Sequence, residues 1–237
     1  MTVQTTETEL AEFEKYAPTY SELLDDPARN RFAQDPLHFH WRKWILIERF
    51  LRERGLIPGS LTWLDVGCGR GELLALGGGN FRRAVGCDPS YGMLPSDSPF
   101  RVYEQRSLTK LPFDDRSFDL VSVVCVMHHV HGNHRQELMN DIQRVLRPGG
   151  LCCLIEHNPW NPVTRTIVKR CPVDIDAQLQ SAREIKRLVD GSGLRCVHLE
   201  YFLYLPESAY QRFGAFEKLF SKSPLGGQYA LFAQVPA

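Results

Sequence analysis

The chain has 237 residues, of which 43% are hydrophobic, and its 28 basic residues are balanced by 28 acidic ones. This length suits one domain, or one domain with a small addition, and the hydrophobic fraction can fill a sizeable core. The balanced charge argues against a broad nucleic-acid surface and favours a small or neutral substrate. No segment has the apolar length of a membrane span, and the amino end lacks a leader pattern, so a cytoplasmic protein is expected.

Two amphipathic helices are predicted before the first strand. Residues 9–20 carry apolar side chains at helical spacing. Residues 39–54 repeat that spacing, and Gly55 is the expected stop of this second helix. Because both helices precede the main alternation of strands and helices, we expect an N-terminal helical cap at residues 1–57 and the main domain at 58–237.

The rest of the chain is organised around residues 61–74. A short apolar run, three glycines at alternate positions and a helix-forming segment predict a strand, a tight turn and a helix. The glycines, Gly67, Gly69 and Gly71, allow positive φ and leave backbone N–H groups bare for an anionic group of a ligand. Asp88, at the end of the next predicted strand, has the spacing of an acid that binds ribose hydroxyls. The pattern therefore predicts a nucleotide site.

The remaining predicted elements alternate between strands and helices. Strands are expected at residues 83–88, 101–104, 118–126, 151–155, 194–205 and 228–234, and helices at 135–146, 182–190 and 207–220. The run at 118–126 is nearly all apolar, as expected for a central parallel strand covered on both faces. The alternation predicts an α/β fold with a doubly wound sheet.

Four motifs follow one another along the chain. They are residues 65–71, Asp88, residues 111–121 with Leu-Pro-Phe-Asp before Ser-Phe-Asp-Leu-Val, and residues 146–150 with Leu-Arg-Pro-Gly-Gly. In this order they resemble the motifs of the class I methyltransferases that use S-adenosylmethionine, in their small-molecule branch. The resemblance implies a Rossmann-like seven-stranded sheet, mostly parallel, with an antiparallel last strand between its neighbours. It also implies S-adenosylmethionine as the cofactor, with S-adenosylhomocysteine as the product.

The same resemblance implies a set of cofactor-binding residues. They are Asp65, Gly67, Cys68, Gly69, Gly71, Asp88, Pro89, Met93, Ser107, Leu108, Tyr16 and Tyr20. Met93 is expected to form a wall for the adenine. Ser107 stands where many relatives have an acid, so backbone and apolar contacts to the adenine are expected there. Tyr16 and Tyr20 match a stretch that folds over the cofactor in the family, although packing of a surface helix explains both equally well.

Two histidines follow the predicted fourth and fifth strands. Because parallel strands finish at the same edge of a sheet, His128 and His157 are expected to face one pocket. A neutral imidazole can take a proton from an acceptor at hydrogen-bond distance, so both are predicted catalytic residues if the acceptor carries a proton. His131 and His134 lie farther along the chain and are expected to point elsewhere.

Neither the cysteines nor the histidines show the pattern of a metal site. The seven cysteines are irregularly spaced, without paired Cys-x-x-Cys sets, and are expected to be reduced thiols of the core. Residues 127–134 contain four histidines, but no Cys or carboxylate at ligand spacing accompanies them. Structural roles are expected for at least two of them, and no metal is predicted.

The segment after the fifth strand, residues 156–165, is polar and rich in proline. In one interpretation His157, Asn158 and Arg165 line an acceptor pocket. In the other, the prolines only end the strand and Arg165 belongs to a solvated helix face. The location at a strand end favours a role for His157 in the pocket.

The predicted function is methyl transfer from S-adenosylmethionine to an O, N or C atom of a small metabolite. The sulfonium is already an activated donor, so alignment of acceptor and methyl group is expected to supply most of the catalysis. One alternative is a protein that binds the cofactor without methyl transfer, and another is a methyltransferase acting on protein or nucleic acid. The expected partner is a small-molecule substrate, without nucleic acid, for a monomer or homodimer.

Overall fold

The computed structural model describes residues 14–236. Its helices are α1 (Tyr20–Leu23), α2 (Pro27–Phe32), α3 (Leu37–Glu53), α4 (Glu72–Gly77), α5 (His134–Val145), α6 (Pro162–Arg170), α7 (Ala182–Gly191) and α8 (Glu207–Glu217). Its strands are β1 (Thr62–Val66), β2 (Arg83–Asp88), β3 (Arg101–Glu104), β4 (Phe118–Val124), β5 (Leu146–His157), β6 (Arg195–Phe202) and β7 (Gln228–Gln234). Within this range, no helix combines the length and the apolar character needed to cross a bilayer.

The strands form one sheet in the order β3-β2-β1-β4-β5-β7-β6. The pairs from β3 through β5 are parallel, whereas β7 lies antiparallel to both β5 and β6. The predicted Rossmann-like sheet with an antiparallel last strand between its neighbours is therefore confirmed. Every residue of β1 is buried, as expected for a central strand covered on both faces.

Helices cover both faces of the sheet. On one face, Ile142 of α5 and Ile185 of α7 pack into a core with the strands. On the other, α3 contributes Trp44, whose ring stacks on Trp63 of β1 with centroids 5.8 Å apart. The division at residue 57 stays a prediction, and α3 nevertheless belongs to the same hydrophobic layer as β1.

Two strands end earlier than the sequence predicts because the backbone turns there. β4 ends before Cys125, which has a φ of 57°, and β6 ends before Leu203, which has a φ of 60°. Such left-handed conformations are uncommon for residues with a side chain and break the strand ladder. β5 is longer than predicted at its start, because Leu146 already pairs with Phe118 of β4.

Helix α2 was not predicted, and α6 was implied only by the interpretation that places Arg165 on a helix face. Both helices begin at a capping side chain. Asp26 accepts hydrogen bonds from the N–H groups of residues 28 and 29 before α2, and Asn161 accepts one from Thr164 before α6. The predicted helix at residues 9–20 lies partly outside the described residues. Its described part is a 3₁₀ turn at Ala17–Thr19 followed by α1.

Candidate active site

A cavity of about 980 Å³ opens where β1, β2, β4 and β5 end. Further walls come from α1, α2, α3 and α6, and from the start of β7. The predicted site residues that line it are Gly67, Cys68, Gly69, Asp88, Pro89, Met93, Leu108, Tyr20, His128 and His157. The predicted residues that do not line it are Asp65, Gly71, Ser107 and Tyr16. Most of the predicted site thus converges on one cavity.

The glycine turn after β1 is held by hydrogen bonds within the protein. Gly67, Gly69 and Gly71 have φ of 68°, 51° and 77°. The expectation of bare N–H groups is wrong at all three. The Gly67 N–H donates to the Cys87 carbonyl at 2.8 Å, the Gly69 N–H to the Asp88 carboxylate at 2.9 Å and the Gly71 N–H to the Cys68 carbonyl at 2.9 Å. The turn therefore offers a ligand a surface without side chains, rather than a row of free donors.

Asp88 remains the acceptor that faces the cavity. Its two oxygens accept the N–H groups of Gly69 and Ser90, each at 2.9 Å, which leaves about two lone-pair positions for ligand hydroxyls. Burial raises the pKa of this carboxyl to about 6, so it is mostly ionised at neutral pH. At Gly69 an added Cβ would make only an ordinary contact with Met93 Cε, at 3.6 Å, and glycine is favoured there by its φ of 51°. These groups fit the ribose and adenine of S-adenosylmethionine.

Two of the predicted cofactor residues, Asp65 and Ser107, do not line the cavity and form hydrogen bonds within the protein. Asp65 is buried, and its Oδ1 accepts the Ser122 hydroxyl at 2.6 Å. Burial raises the pKa of Asp65 to about 7. Ser107 Oγ accepts the N–H groups of Thr109 and Lys110. A direct contact of Asp65 or Ser107 with a ligand stays a prediction.

His128 lies in a buried ion-pair network at the end of β4. Its Nδ1 donates to Glu156 Oε2 at 2.5 Å, and its Nε2 lies 3.6 Å from Asp174 Oδ1. Burial opposes protonation of this ring, but the two carboxylates outweigh it and raise the pKa of His128 to about 10. The expectation that His128 is neutral near pH 7 is therefore wrong, because an imidazolium has no free lone pair for a proton.

Glu156 connects His128 to the backbone at the end of β4. Its Oε1 accepts the N–H groups of Val126 and Met127, at 3.0 and 2.7 Å. Burial opposes ionisation, but the His128 cation and these N–H groups outweigh it and lower the pKa of Glu156 below its usual value. The carboxylate thereby fixes the path of the chain where it leaves β4.

His157 faces the same cavity from the end of β5. Its ring centroid lies 5.1 Å from that of His128, which confirms that the two strand exits share one pocket. Asn158 instead donates to the carbonyls of Pro224 and Gly226, and Arg165 is exposed on α6. The structure therefore supports a place in the pocket for His157. It gives Asn158 a structural role and leaves Arg165 on a solvated helix face.

Three histidine and aspartate side chains could hold a cation at the cavity wall, although no metal is predicted from the sequence. Ligand atoms of His128, His129 and Asp174 all lie within 4.8 Å of one another. Burial lowers the pKa of His129 to about 3, so that ring is neutral. His128 would have to lose a proton before binding a metal. The ion-pair network therefore accounts for this cluster without a metal.

Three of the polar cavity residues that sequence reasoning missed lie close together near the end of β4. Lys43 comes from α3, Cys125 from the end of β4 and Gln228 from the start of β7. The position of Cys125 just inside a predicted strand end was a usable signal. Lys43 resembles any basic residue of an amphipathic helix, and Gln228 any residue beginning a strand, so neither carries a signal in the sequence alone.

Comparison with known proteins finds similarity in the central part of the chain. Residues 64–154 match the family described as a methyltransferase domain. An uncharacterised methyltransferase of Synechocystis is 31% identical over 122 residues, which cover 48% of this chain and 57% of that protein. The tRNA (carboxymethyluridine(34)-5-O)-methyltransferase of Arabidopsis thaliana is 31% identical over 111 residues, covering 46% of this chain and 26% of that protein. These matches thus span little more than half of one relative and about a quarter of the other.

A solved structure extends the likeness to most of the fold. The S-adenosylmethionine-dependent methyltransferase from Archaeoglobus fulgidus superposes with a TM-score of 0.60 at 21% identity. The match covers 81% of this chain and 94% of that one. Residues 64–154 therefore resemble a methyltransferase domain, and the chain has the same fold as this S-adenosylmethionine-dependent methyltransferase.

Proposed function

We propose that this chain is an enzyme that transfers the methyl group of S-adenosylmethionine to a small-molecule acceptor. The observation that carries this proposal is one cavity joining the glycine turn and Asp88 to the exits of β4 and β5. Its volume of about 980 Å³ lies at the upper end of the range of about 300–1,000 Å³ for small-molecule sites. That size supports an acceptor held beside the cofactor.

The roles of the cavity residues follow from what each can do chemically. The bound cofactor supplies a methyl group on a positively charged sulfur, which needs little further activation. Asp88 would hold the ribose hydroxyls, so that the methyl group is aligned by a fixed nucleoside. His157 is the proposed proton acceptor for a hydroxyl or amine of the substrate. His128, being a cation, becomes a positioning residue that holds the β4 exit through Glu156.

Isothermal titration calorimetry with S-adenosylmethionine and S-adenosylhomocysteine tests the cofactor part of this proposal. We expect binding of both, and Asp88→Asn should weaken it roughly 10- to 100-fold, because hydrogen bonds to a charged acceptor contribute about 1.5–3 kcal/mol. Asp114→Asn, at an exposed acid outside the cavity, is the matched control and should leave affinity unchanged. Absence of heat with both compounds in the wild type would refute the proposal.

Methylation of tRNA is a second candidate, supported by the similarity to the Arabidopsis tRNA methyltransferase. The equal numbers of basic and acidic residues speak for a small acceptor instead, since proteins that bind nucleic acid usually carry excess positive charge. Labelled S-adenosylmethionine should be incubated with the protein and either purified tRNA or a low-molecular-mass metabolite extract. Label in the metabolite fraction supports the first candidate, and label in the tRNA supports the second.

A further inference from the structure

A buried lysine lies in the cavity wall next to the end of β4. Lys43 is only 5% exposed, and its Nζ lies 3.4 Å from Cys125 Sγ. In the part of the chain that the structure describes, no carboxylate forms an ion pair with this ammonium group. Buried ammonium groups are rare without a partner, because removal from water costs free energy that an opposite charge must offset. Lys43 therefore presents to the cavity a positive charge whose neighbour is the Cys125 thiol and not a carboxylate.

Polar groups from two other strands surround this charge. Gln228 Nε2 lies 3.5 Å from Cys125 Sγ and 3.3 Å from His157 Nδ1. The amide of Gln228 is 5% exposed, and its Oε1 has no hydrogen-bond partner in the part of the chain described. An unsatisfied buried amide oxygen is uncommon in folded proteins and indicates a missing polar partner. The cluster thus combines a buried cation that has no carboxylate partner with an amide oxygen that has no hydrogen-bond partner among the described residues.

The thiol of Cys125 reports the sign of the local potential. The positive φ of Cys125 turns the chain out of β4 at the cavity wall. Burial opposes ionisation of this thiol, but Lys43 and His157 outweigh it and lower its pKa to about 7. Negative charge is therefore favoured at this point of the cavity, whether it resides on the sulfur or on a ligand.

We propose that Lys43 and Gln228 form a subsite, next to His157, that binds an oxyanion group of the methyl acceptor, of the carboxylate or phosphate type. Lys43 supplies a charge-assisted hydrogen bond to the oxyanion, and the Gln228 amide oxygen accepts from a neighbouring hydroxyl or N–H of the same molecule. This assignment rests on the proposed function, since it names the class of acceptor for that enzyme. The substrate would be a small organic acid or a phosphorylated metabolite.

Alkylation of Cys125 tests the subsite without needing the natural substrate. Iodoacetate carries a carboxylate and iodoacetamide does not, and both alkylate the thiolate. The ratio of their rates, compared between two thiols of one protein, therefore measures anion recognition. Cys196 is the internal reference, because it and Cys125 are the half-buried thiols while the other five cysteines are buried. Both rates are followed by mass spectrometry of the two peptides in one reaction.

We expect the iodoacetate-to-iodoacetamide ratio at Cys125 to exceed that at Cys196 on the order of tenfold, because Lys43 attracts the carboxylate in a partly desolvated cavity. Lys43→Met should bring the two ratios within about twofold, and Lys43→Arg should keep most of the difference. Thermal melts check that both variants are folded. Equal ratios in the wild type, or an unchanged ratio in Lys43→Met, would overturn the subsite.

Protection experiments identify the kind of oxyanion. Acetate and inorganic phosphate are added separately at matched ionic strength, with chloride as the control, and alkylation of Cys125 by iodoacetamide is followed. Slower alkylation with acetate supports a carboxylate, and slower alkylation with phosphate supports a phosphate. Equal effects of all three salts would indicate charge screening only and contradict the proposal.

The test of the anion subsite can fail or succeed independently of the test of the proposed function. Calorimetric binding of S-adenosylmethionine together with equal alkylation ratios would reject the subsite and leave the enzyme assignment standing. A high ratio at Cys125 without any cofactor binding would reject the enzyme assignment and leave an anion site.

Discussion

Replacing Glu156 with Gln removes the charge at the centre of the β4 exit and keeps the shape of the side chain. Glu156 and His128 are each 1% exposed. The carboxylate accepts one hydrogen bond from His128 and two from backbone N–H groups. The glutamine can still accept the backbone pair through its amide oxygen, but it leaves the His128 cation without its nearest anion. The substitution therefore isolates the ion pair from the packing.

The expected loss of stability in Glu156→Gln follows from the burial of Glu156 and His128. Breaking a buried ion pair by removing one partner costs about 3–5 kcal/mol, because the other charge remains desolvated. Asp174 stays 3.6 Å from His128 Nε2 and offsets part of this loss, so we expect about 3 kcal/mol. For a chain of this length each kcal/mol lowers Tm by about 2–4 °C, which gives a decrease of roughly 6–12 °C.

The stability that this ion pair contributes should fall at both low and high pH. The folded pKa of Glu156 lies below its unfolded value of 4.5, so its contribution is present above pH 4.5 and is lost as the pH falls through the folded pKa. The pKa of His128 is raised from 6.5 to about 10, so its contribution is complete below pH 6.5 and is lost as the pH rises through about 10. The difference between wild type and Glu156→Gln should be largest between these limits.

Urea denaturation and thermal melts at pH 5.5, 7 and 10 measure this difference. Glu104→Gln is the matched control, because Glu104 pairs with Arg106 at the surface and should contribute less than about 1 kcal/mol. NMR of the His128 ring should show it protonated at pH 8. A loss below about 1 kcal/mol at pH 5.5, or a neutral ring at pH 8, would contradict the buried ion pair.

Two further predictions concern the turn after β1 and the exit of β5. Gly67→Val should destabilise the protein by about 3 kcal/mol in urea denaturation, because a Cβ at this φ of 68° would lie 2.3 Å from Val126 Cγ2. Gly79→Ala is the control. Its Cβ would have no atom within 4 Å, so the free energy of unfolding should change by less than about 0.5 kcal/mol. His157→Ala should lower methyl transfer roughly 100-fold or more without changing cofactor affinity, and His134→Ala on α5 should be close to silent. Full activity of His157→Ala on the identified acceptor would leave this histidine with a packing role only.

The order and type of the elements could be predicted from the sequence because they depend on local periodicity. The apolar run before Gly67, the acid at Asp88 and the alternation of strands and helices each follow from a few consecutive residues. The glycine turn also carries its own conformational requirement, since residues with side chains rarely adopt positive φ. The fold and the cofactor end of the cavity were therefore accessible before the structure.

The acceptor end of the cavity was decided only by the tertiary structure. Lys43, Cys125 and Gln228 are far apart in the chain, and they meet because α3 packs on the sheet and β7 inserts antiparallel beside β5. The protonation of His128 likewise depends on Glu156 and Asp174, which lie on other segments. A pKa is set by burial and by neighbouring charges in space, so the pattern of four histidines in the sequence could not distinguish a base from a buried cation.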